Sequence, residues 1–242
     1  MLDGTYIGFI DSDDYIETNY VEKLLLRAFE NKADMVKCGY YWEMLNGKEK
    51  HKILHQNLSV ENGLRNEILE LDGFVWGAVI KNSLFDNFRF SENFWYEDMI
   101  TRVIIYRKCK RFDFLNEPLY HYIQHETNIS KKVEKNADEK CLDQYFLALK
   151  LYDLSNKIGL KNDEVLYKIL QNEFGTMLWS RTRGLDEKIR KQVFLCACDF
   201  MKQFDNHCKV NLNQYEKYFE IAFRKYNYIV WKLLSKAIRF RM

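Results

Sequence analysis

The chain has 242 residues, of which 47% are hydrophobic and 16% aromatic, so it can bury a substantial core as one large domain or two small ones. Its formal net charge of +2 provides no general basic field, and we expect no nucleic acid partner. The six cysteines show neither a Cys-x-x-Cys pair nor a His spacing suited to zinc, which favours free thiols in a reducing cytosol. The sequence shows no signal peptide and no bilayer-spanning apolar run, so a cytoplasmic location is expected.

The first predicted element is a short strand over residues 6–10, which ends in a turn rich in carboxylates. Its mostly apolar residues are typical of a strand covered on both faces. Asp11, Asp13 and Asp14 follow at the strand end, where α/β sheets bind ligands. An Asp-x-Asp pair at that place can hold a hard divalent cation against a diphosphate. A solvated acidic turn is the alternative.

The next elements alternate between helix and extended chain. Thr18 is a candidate N-cap for an amphipathic helix whose apolar stripe comprises Val21, Leu24, Leu25, Ala28 and Phe29. Asn46-Gly47 is a strong turn signal between two extended runs. The other predictions, in chain order, are a strand over 35–42, an extended run over 52–55, a helix over 60–71, an apolar stretch over 74–81, a helix from 97 to about 108, a strand over 111–115 and an extended piece over 118–122.

The pattern changes after Ser130. From about residue 135 it predicts helices nearly to the end, with breaks near Gly159, Gly184 and residues 206–213. A domain boundary is therefore expected near residue 132, which separates residues 1–132 from a helical subdomain over residues 133–242.

Glu97 and Asp98 stand where a helix is predicted to begin. The positive end of the helix dipole favours an ionised carboxylate there. An ionised Asp in a cleft is what a general base needs to take a proton from an attacking alcohol. Simple helix capping is the alternative, because acidic residues are common in first turns.

In combination, these stretches resemble the C-terminal two-thirds of family 2 glycosyltransferases of the GT-A fold, especially bacterial enzymes of capsule and exopolysaccharide assembly. Residues 4–16 look like the strand and metal motif of that family. Residues 75–81 look like its acceptor-side segment, although Ala78 stands where a Lys is usual.

Two later stretches extend the resemblance to about residue 130. Phe88-Arg89-Phe90, followed by residues 96–99, is similar to the element that supplies the catalytic base. Residues 118–122, continuing through His125 to Ser130, resemble the strand and loop that closes over the nucleotide. The fold implied is α/β: a partial GT-A-like (Rossmann-like) mixed sheet with flanking helices, followed by an all-helical C-terminal subdomain.

The activity implied is a metal-dependent inverting transfer of a sugar from a nucleotide-diphosphate sugar to a hydroxyl of a saccharide or lipid-linked acceptor. Asp11 and Asp13 would hold Mg²⁺ or Mn²⁺, and His125 would complete the metal shell or contact the diphosphate. Asp98 would deprotonate the acceptor hydroxyl, with Glu97 as a supporting carboxylate. For His125, a packed and hydrogen-bonded ring is the alternative.

The other residues implied by the resemblance contact substrate. Asp14 would brace the turn or contact the ribose. Trp76 would offer its ring as a platform for the acceptor sugar, with core packing as an equal alternative. The remaining predicted substrate-binding residues are Tyr96, His121 and Ser130.

Members of this family open with a nucleotide-gripping half that precedes the metal motif, and this chain begins after it. We therefore expect the chain as written to transfer sugar poorly or not at all. The alternative is a non-catalytic remnant or binding module with the same fold. An aspartate-nucleophile phosphohydrolase also begins with a strand and Asp-x-Asp, but it leaves Glu97-Asp98 and residues 120–130 unexplained.

The last segment is basic and amphipathic, with no acidic residue from 224 to 242. Its apolar stripe comprises Tyr226, Ile229, Val230, Leu233, Ala237 and Ile238, with Lys232, Lys236 and Arg239 predicted on the opposite face. Such a helix can lie in an anionic membrane surface, where a lipid-linked acceptor would be found. The predicted location is therefore cytoplasmic, with peripheral contact at the inner face of the membrane. A helix docked on its own domain, with a solvated basic face, is the alternative.

Overall fold

The computed structural model describes residues 4–47, 49–55, 58–125, 138–204 and 210–239. The chain divides into two compact units, each taken by itself below. The first unit comprises Met1–Phe90 and Ile100–Asn128, and the second comprises Ser91–Met99 and Ile129–Met242.

Within the described residues, the first unit contains a seven-stranded mixed sheet. The strands are β1 (Tyr6–Gly8), β2 (Tyr15–Ile16), β3 (Met35–Met44), β4 (Lys50–Ile53), β5 (Ser59–Val60), β6 (Ala78–Lys81) and β7 (Phe112–Gln124). Five of them follow the order β1-β6-β3-β7-β2, while β4 pairs with β3 and β5 pairs with β7. The β3–β7 pair is parallel and the other pairs are antiparallel.

The core of the first unit lies between the sheet and α1 (Tyr20–Glu30). The helix buries Tyr20, Leu24 and Ala28, whereas Val21 and Phe29 of the predicted stripe are more than half exposed. The stripe was therefore only partly correct. The helix begins at Tyr20, and the burial of this ring turns the apolar face away from Val21. The predicted Thr18 cap was wrong, since Asn19 occupies the N-cap position.

The predicted separate strands near residues 111–122 form one long strand, β7. Its pairing with β3 is irregular where Gly39 lies opposite Pro118. Pro118 has no N–H to donate to the ladder, so an irregularity is expected there. Gly39 is needed at this point because a Cβ would lie 2.4 Å from Leu54 Cδ2 and 2.8 Å from the carbonyl of Ile53.

Two further predictions for the first unit were wrong. The residues after Ser59 do not form a helix over 60–71, because β5 pairs with β7 and Gly63 takes a φ of +86°. Only a short 3₁₀ turn, Asn66–Leu69, remains. The first strand is half-buried rather than covered on both faces, and Ile10 after it is 50% exposed.

In the second unit, the described residues from 138 onward are mainly helical, as predicted. Gly159 with a φ of +77° follows one helix, and Gly184 follows another, so these two predicted breaks are confirmed. Trp231 is fully buried, and its indole N–H donates to the Phe174 carbonyl at 3.0 Å. The helices are Asp143–Lys157, Glu164–Asn172, Leu178–Thr182, Glu187–Met201, Gln214–Arg224 and Tyr228–Arg239.

The C-terminal helix Tyr228–Arg239 buries a different face from the predicted one. Tyr228, Trp231 and Ser235 are buried, whereas Ile229 and Leu233 are 68% and 61% exposed. At 100° per residue, Lys236 lies two turns after Ile229 and shares its face, so the prediction that it lies opposite the apolar stripe was wrong. Across the described part of the chain, none of the helices is long and apolar enough to span a membrane.

Candidate active site

The acidic turn, residues 11–14, connects β1 to β2. The N–H of Asp14 donates to the carbonyl of Asp11 at 3.1 Å and closes the turn. Asp11, Asp13 and Asp14 each offer a carboxylate oxygen, and these oxygens lie within 4.8 Å of one another. Asp11 and Asp13 are exposed. Exposed carboxylates this close are the oxygen donors that Mg²⁺ or Mn²⁺ prefers, so the residues present fit such an ion.

Asp14 is held by the neighbouring strand. Its Oδ2 accepts from the Tyr120 hydroxyl at 2.7 Å, and its Oδ1 accepts from the N–H of Ile123 at 2.8 Å. Burial raises the pKa of Asp14, and these two hydrogen bonds oppose the rise. Because both oxygens are engaged with β7, the contacts favour a bracing role for Asp14.

His125, immediately after β7, reaches the acidic turn across a long stretch of sequence. Its Nε2 lies 2.7 Å from Asp13 Oδ2. The ring is therefore beside the two exposed carboxylates, within reach of an ion held there. The same contact also suits the hydrogen-bonded alternative.

His121 lies in β7 opposite Tyr15 of β2 and is 3% exposed. Its Nδ1 contacts a carboxylate oxygen of Glu43, and its Nε2 lies 2.9 Å from Glu17 Oε1. The Tyr15 ring stacks on it, with centroids 4.1 Å apart. These contacts tie β2 to β3 and occupy both ring nitrogens.

Trp76 is buried in the core of the first unit. Its ring stacks on Phe74 and on Tyr120, with centroids 4.4 Å and 4.5 Å apart. Only 4% of the residue is exposed. This environment matches the core-packing alternative for Trp76.

A buried Lys–Asp pair supports the Trp76 segment. Lys37 is 1% exposed, and its Nζ lies 2.8 Å from Asp72 Oδ1. The same ammonium donates to the carbonyls of Phe74 and Trp76 at 2.8 Å and 3.2 Å. Burial by itself would raise the pKa of Asp72, but the charge of Lys37 and the contacts of Asp72 with His55 and Lys37 outweigh it and lower the pKa to about 2.

The sequence did not predict that Tyr120 holds the acidic turn or that the Lys37–Asp72 pair holds the Trp76 segment. A signal for Lys37 was present, because this Lys interrupts the apolar run Met35-Val36-Lys37-Cys38 and a buried cation requires a partner. No comparable signal distinguishes Tyr120 from the other aromatic residues of its strand.

In the second unit, Tyr96, Glu97 and Asp98 lie in a turn, and the helical stretch begins only at Met99. Glu97 is exposed and Asp98 is half-buried. Tyr96 has a φ of +65°, which is uncommon for a residue with a side chain. Burial raises the pKa of Tyr96, and the nearby charge of Arg181 opposes the rise. Ser130, the remaining predicted site residue, lies outside the described residues.

Comparisons with known proteins identify relatives of this chain. The sequence model described as "Glycosyl transferase family 2" matches residues 1–90, which include the acidic turn and Trp76. Over this stretch the chain is similar to the family 2 glycosyltransferases. The predicted family resemblance is thereby confirmed.

Two proteins of similar sequence come from Bacillus subtilis (strain 168). "Uncharacterized glycosyltransferase EpsJ" is 25% identical over 221 residues, which cover 84% of this chain and 63% of EpsJ. "Putative glycosyltransferase EpsH" is 28% identical over 209 residues, which cover 80% of this chain and 60% of EpsH. The chain thus spans less than two thirds of the length of either relative.

The fold of this chain also matches a solved structure. The crystal structure of S. aureus TarS 1–349 in complex with UDP-GlcNAc has a TM-score of 0.65 and 15% sequence identity. The match covers all of this chain and 69% of the TarS chain. The predicted fold class, a GT-A-like mixed sheet with helices in the C-terminal part, is confirmed.

Proposed function

We propose that this chain contributes to a metal-dependent glycosyltransferase, which moves a sugar from a nucleotide-diphosphate sugar to a hydroxyl of a saccharide or lipid-linked acceptor. The observation that carries the proposal is that His125 contacts Asp13 at the turn that also carries Asp11, and that both aspartates belong to the stretch that matches the family model. The names of the relatives and the TarS fold support the same chemistry.

Asp11, Asp13 and His125 would hold Mg²⁺ or Mn²⁺. When bound, the ion would neutralise the charge of the departing diphosphate. Asp14, fixed by Tyr120 and Ile123, would keep the acidic turn in place.

Asp98 would act as the general base, with Glu97 as a supporting carboxylate. Asp98 would take the proton of the acceptor hydroxyl as its oxygen attacks the anomeric carbon. The new C–O bond forms as the bond from that carbon to the diphosphate oxygen breaks. In-line attack on the face opposite the leaving group would invert the configuration.

A contact with the membrane surface is a further part of the proposal. Ile229 and Leu233 are exposed on the C-terminal helix, and the exposed Lys236 shares their face. Aliphatic side chains beside a Lys suit the surface of an anionic membrane, where a lipid-linked acceptor would be found.

The first test of the metal site is Mn²⁺ binding, measured by calorimetry. We expect Asp13→Asn to weaken binding at least about tenfold, because it removes one anionic ligand. Asp86→Asn, which removes an exposed carboxylate elsewhere in the first unit, serves as the matched control. Equal Mn²⁺ affinity of the wild type and Asp13→Asn would contradict the metal site.

The second test is transfer activity, followed by release of nucleoside diphosphate. A uridine-diphosphate sugar is the first donor to try, because the TarS structure holds UDP-GlcNAc. Asp98→Asn should lower the rate by about 10²–10⁴-fold and leave Mn²⁺ affinity unchanged, since it removes only the base. Metal-dependent donor binding without turnover in the wild type would instead support the binding-module alternative.

A further inference from the structure

The carboxylate loop, residues 91–98, carries the two acidic residues to which the proposed function assigns proton transfer. It has little regular structure of its own, and Asn93 and Tyr96 both have φ near +65°. Left-handed φ values at residues with side chains persist only where the surroundings fix them. Something beyond the local sequence must therefore hold this loop.

The helices of the second unit, called the helical unit below, follow the loop in the chain, and four of the unit's side chains contact four consecutive loop residues. The backbone of the loop is held at two of these residues. The Lys140 ammonium donates to the carbonyl of Asn93. The N–H of Trp95 donates to Asp143 Oδ2 at 2.8 Å.

The other two contacts are made to aromatic rings. The Lys150 Nζ lies 4.9 Å from the centroid of the Phe94 ring. The Arg181 guanidinium lies 4.3 Å from the centroid of the Tyr96 ring. Cations at these distances are attracted to the face of an aromatic ring.

The strongest of the four anchors is Asp143, the first residue of the helix Asp143–Lys157. Its side chain is only 15% exposed, so its hydrogen bond to Trp95 is shielded from water. The bond is also charge-assisted, which makes it stronger than a neutral one. Trp95 itself packs against the buried Cys141 and Leu185.

From these contacts we infer that the helical unit fixes the conformation of the carboxylate loop, and that Asp143 and Arg181 are positioning residues for Asp98. This inference rests on the proposed function, which makes Asp98 the base. Both residues act through the backbone and the Tyr96 ring, so neither needs to touch substrate. The helical unit thereby acquires a role in the reaction without a catalytic motif of its own.

The test compares Asp143→Ala with Asp143→Asn. The Ala variant leaves the Trp95 N–H without its acceptor, whereas the Asn variant retains an oxygen that can accept. We expect kcat of the Ala variant to fall by about 10²-fold, because a displacement of about 1 Å of a catalytic group has that effect. The donor KM and the Mn²⁺ affinity should remain unchanged, and the Asn variant should recover most of kcat.

Two further variants separate positioning from general loss of structure. Asp163→Ala is the matched control, because Asp163 also bonds a backbone N–H at a helix start, that of Leu166 at 3.0 Å. We expect its kcat to stay within about twofold of the wild type. Arg181→Met keeps a long apolar side chain over Tyr96 without the charge, and should lower kcat in the same selective way. Amide exchange at Trp95 should quicken in Asp143→Ala and stay slow in Asp163→Ala.

The outcomes are distinguishable. Absence of transfer by the wild type overturns the proposed function, and with it this inference. Wild-type kcat in Asp143→Ala and Arg181→Met, measured with an active wild type, overturns the inference alone. A parallel loss of kcat in Asp163→Ala also overturns it, because the effect would then reflect stability of the helical unit.

Discussion

Tyr120 connects the acidic turn to the core through a single hydroxyl group. The oxygen accepts from the N–H of Asp11 at 3.1 Å, and its proton goes to Asp14 Oδ2 at 2.7 Å. Burial and the contact with Asp14 raise the pKa of Tyr120, so the hydroxyl stays protonated and keeps donating. One phenol therefore fixes both ends of the turn.

Removing this hydroxyl should loosen the turn without emptying the core. We expect Tyr120→Phe to weaken Mn²⁺ binding about two- to tenfold, because a loss of this size corresponds to the net free energy of one or two hydrogen bonds. Calorimetry would measure it. Tyr20→Phe is the matched control, because Tyr20 is equally buried in the same cluster and its hydroxyl bonds the Ala78 carbonyl instead. An equal effect of both substitutions would argue against a specific role of Tyr120.

At the scale of elements, the buried Lys37–Asp72 pair stabilises the packing of strand β3 against the segment that leads into β6. Lys37 donates to the carbonyls of Phe74 and Trp76, and so holds the chain that leads into β6. Loss of one partner would leave a buried charge without compensation, which is strongly destabilising.

We expect Lys37→Met to lower the free energy of unfolding by about 3–5 kcal/mol, measured by urea denaturation. The control is Lys81→Met, which removes a Lys that is 43% exposed and pairs with Asp34 at 3.4 Å. Such an exposed pair contributes about 1 kcal/mol or less. Similar losses in the two variants would contradict the importance of burial.

The same pair predicts how stability depends on pH. The pKa of Asp72 is lowered from 3.8 to about 2 in the folded chain. The unfolded chain therefore takes up this proton first as the pH falls, and the stabilisation present above pH 4 is lost as the pH approaches 2. Unfolding measured across that range should show a steeper loss for the wild type than for Lys37→Met. Parallel curves would contradict the assignment.

At the scale of the whole molecule, the predicted functions are divided between two units. The proposed metal ligands belong to the first unit, which contains the sheet, and the proposed base belongs to the helical unit. The helical unit also carries the exposed face of Ile229, Leu233 and Lys236. The residues of the proposed membrane contact therefore all lie in this second unit.

We expect Ile229→Ser combined with Leu233→Ser to weaken sedimentation with anionic liposomes at least about tenfold, because burial of each aliphatic side chain contributes about 1.5–3 kcal/mol. Ile189→Ser, which changes an isoleucine that is 45% exposed on another helix, is the control. Binding should also weaken as salt concentration rises, since the lysines contribute through charge. Unchanged binding of the double variant would discard the membrane contact.

Sequence by itself determined the features that depend on local chemistry. The acidic turn could be predicted because three carboxylates follow an apolar strand. The helix breaks could be predicted because glycine favours turns. Predictions failed where a distant partner overrode local preference. Residues 60–71 do not form the predicted helix, because Val60 at their start pairs with β7. The buried face of α1 differs from the predicted stripe because it includes Tyr20 and excludes Val21.

Only the tertiary structure decided which of the candidate side chains are buried and which are exposed. Trp76 and His121 look alike in sequence as candidate ligand residues, but one is stacked in the core and the other is enclosed by two carboxylates. His125 and Asp13 are 112 residues apart, and only folding brings them to 2.7 Å. Burial and pairing between distant residues have no local signature, because they depend on how the strands are ordered in the sheet.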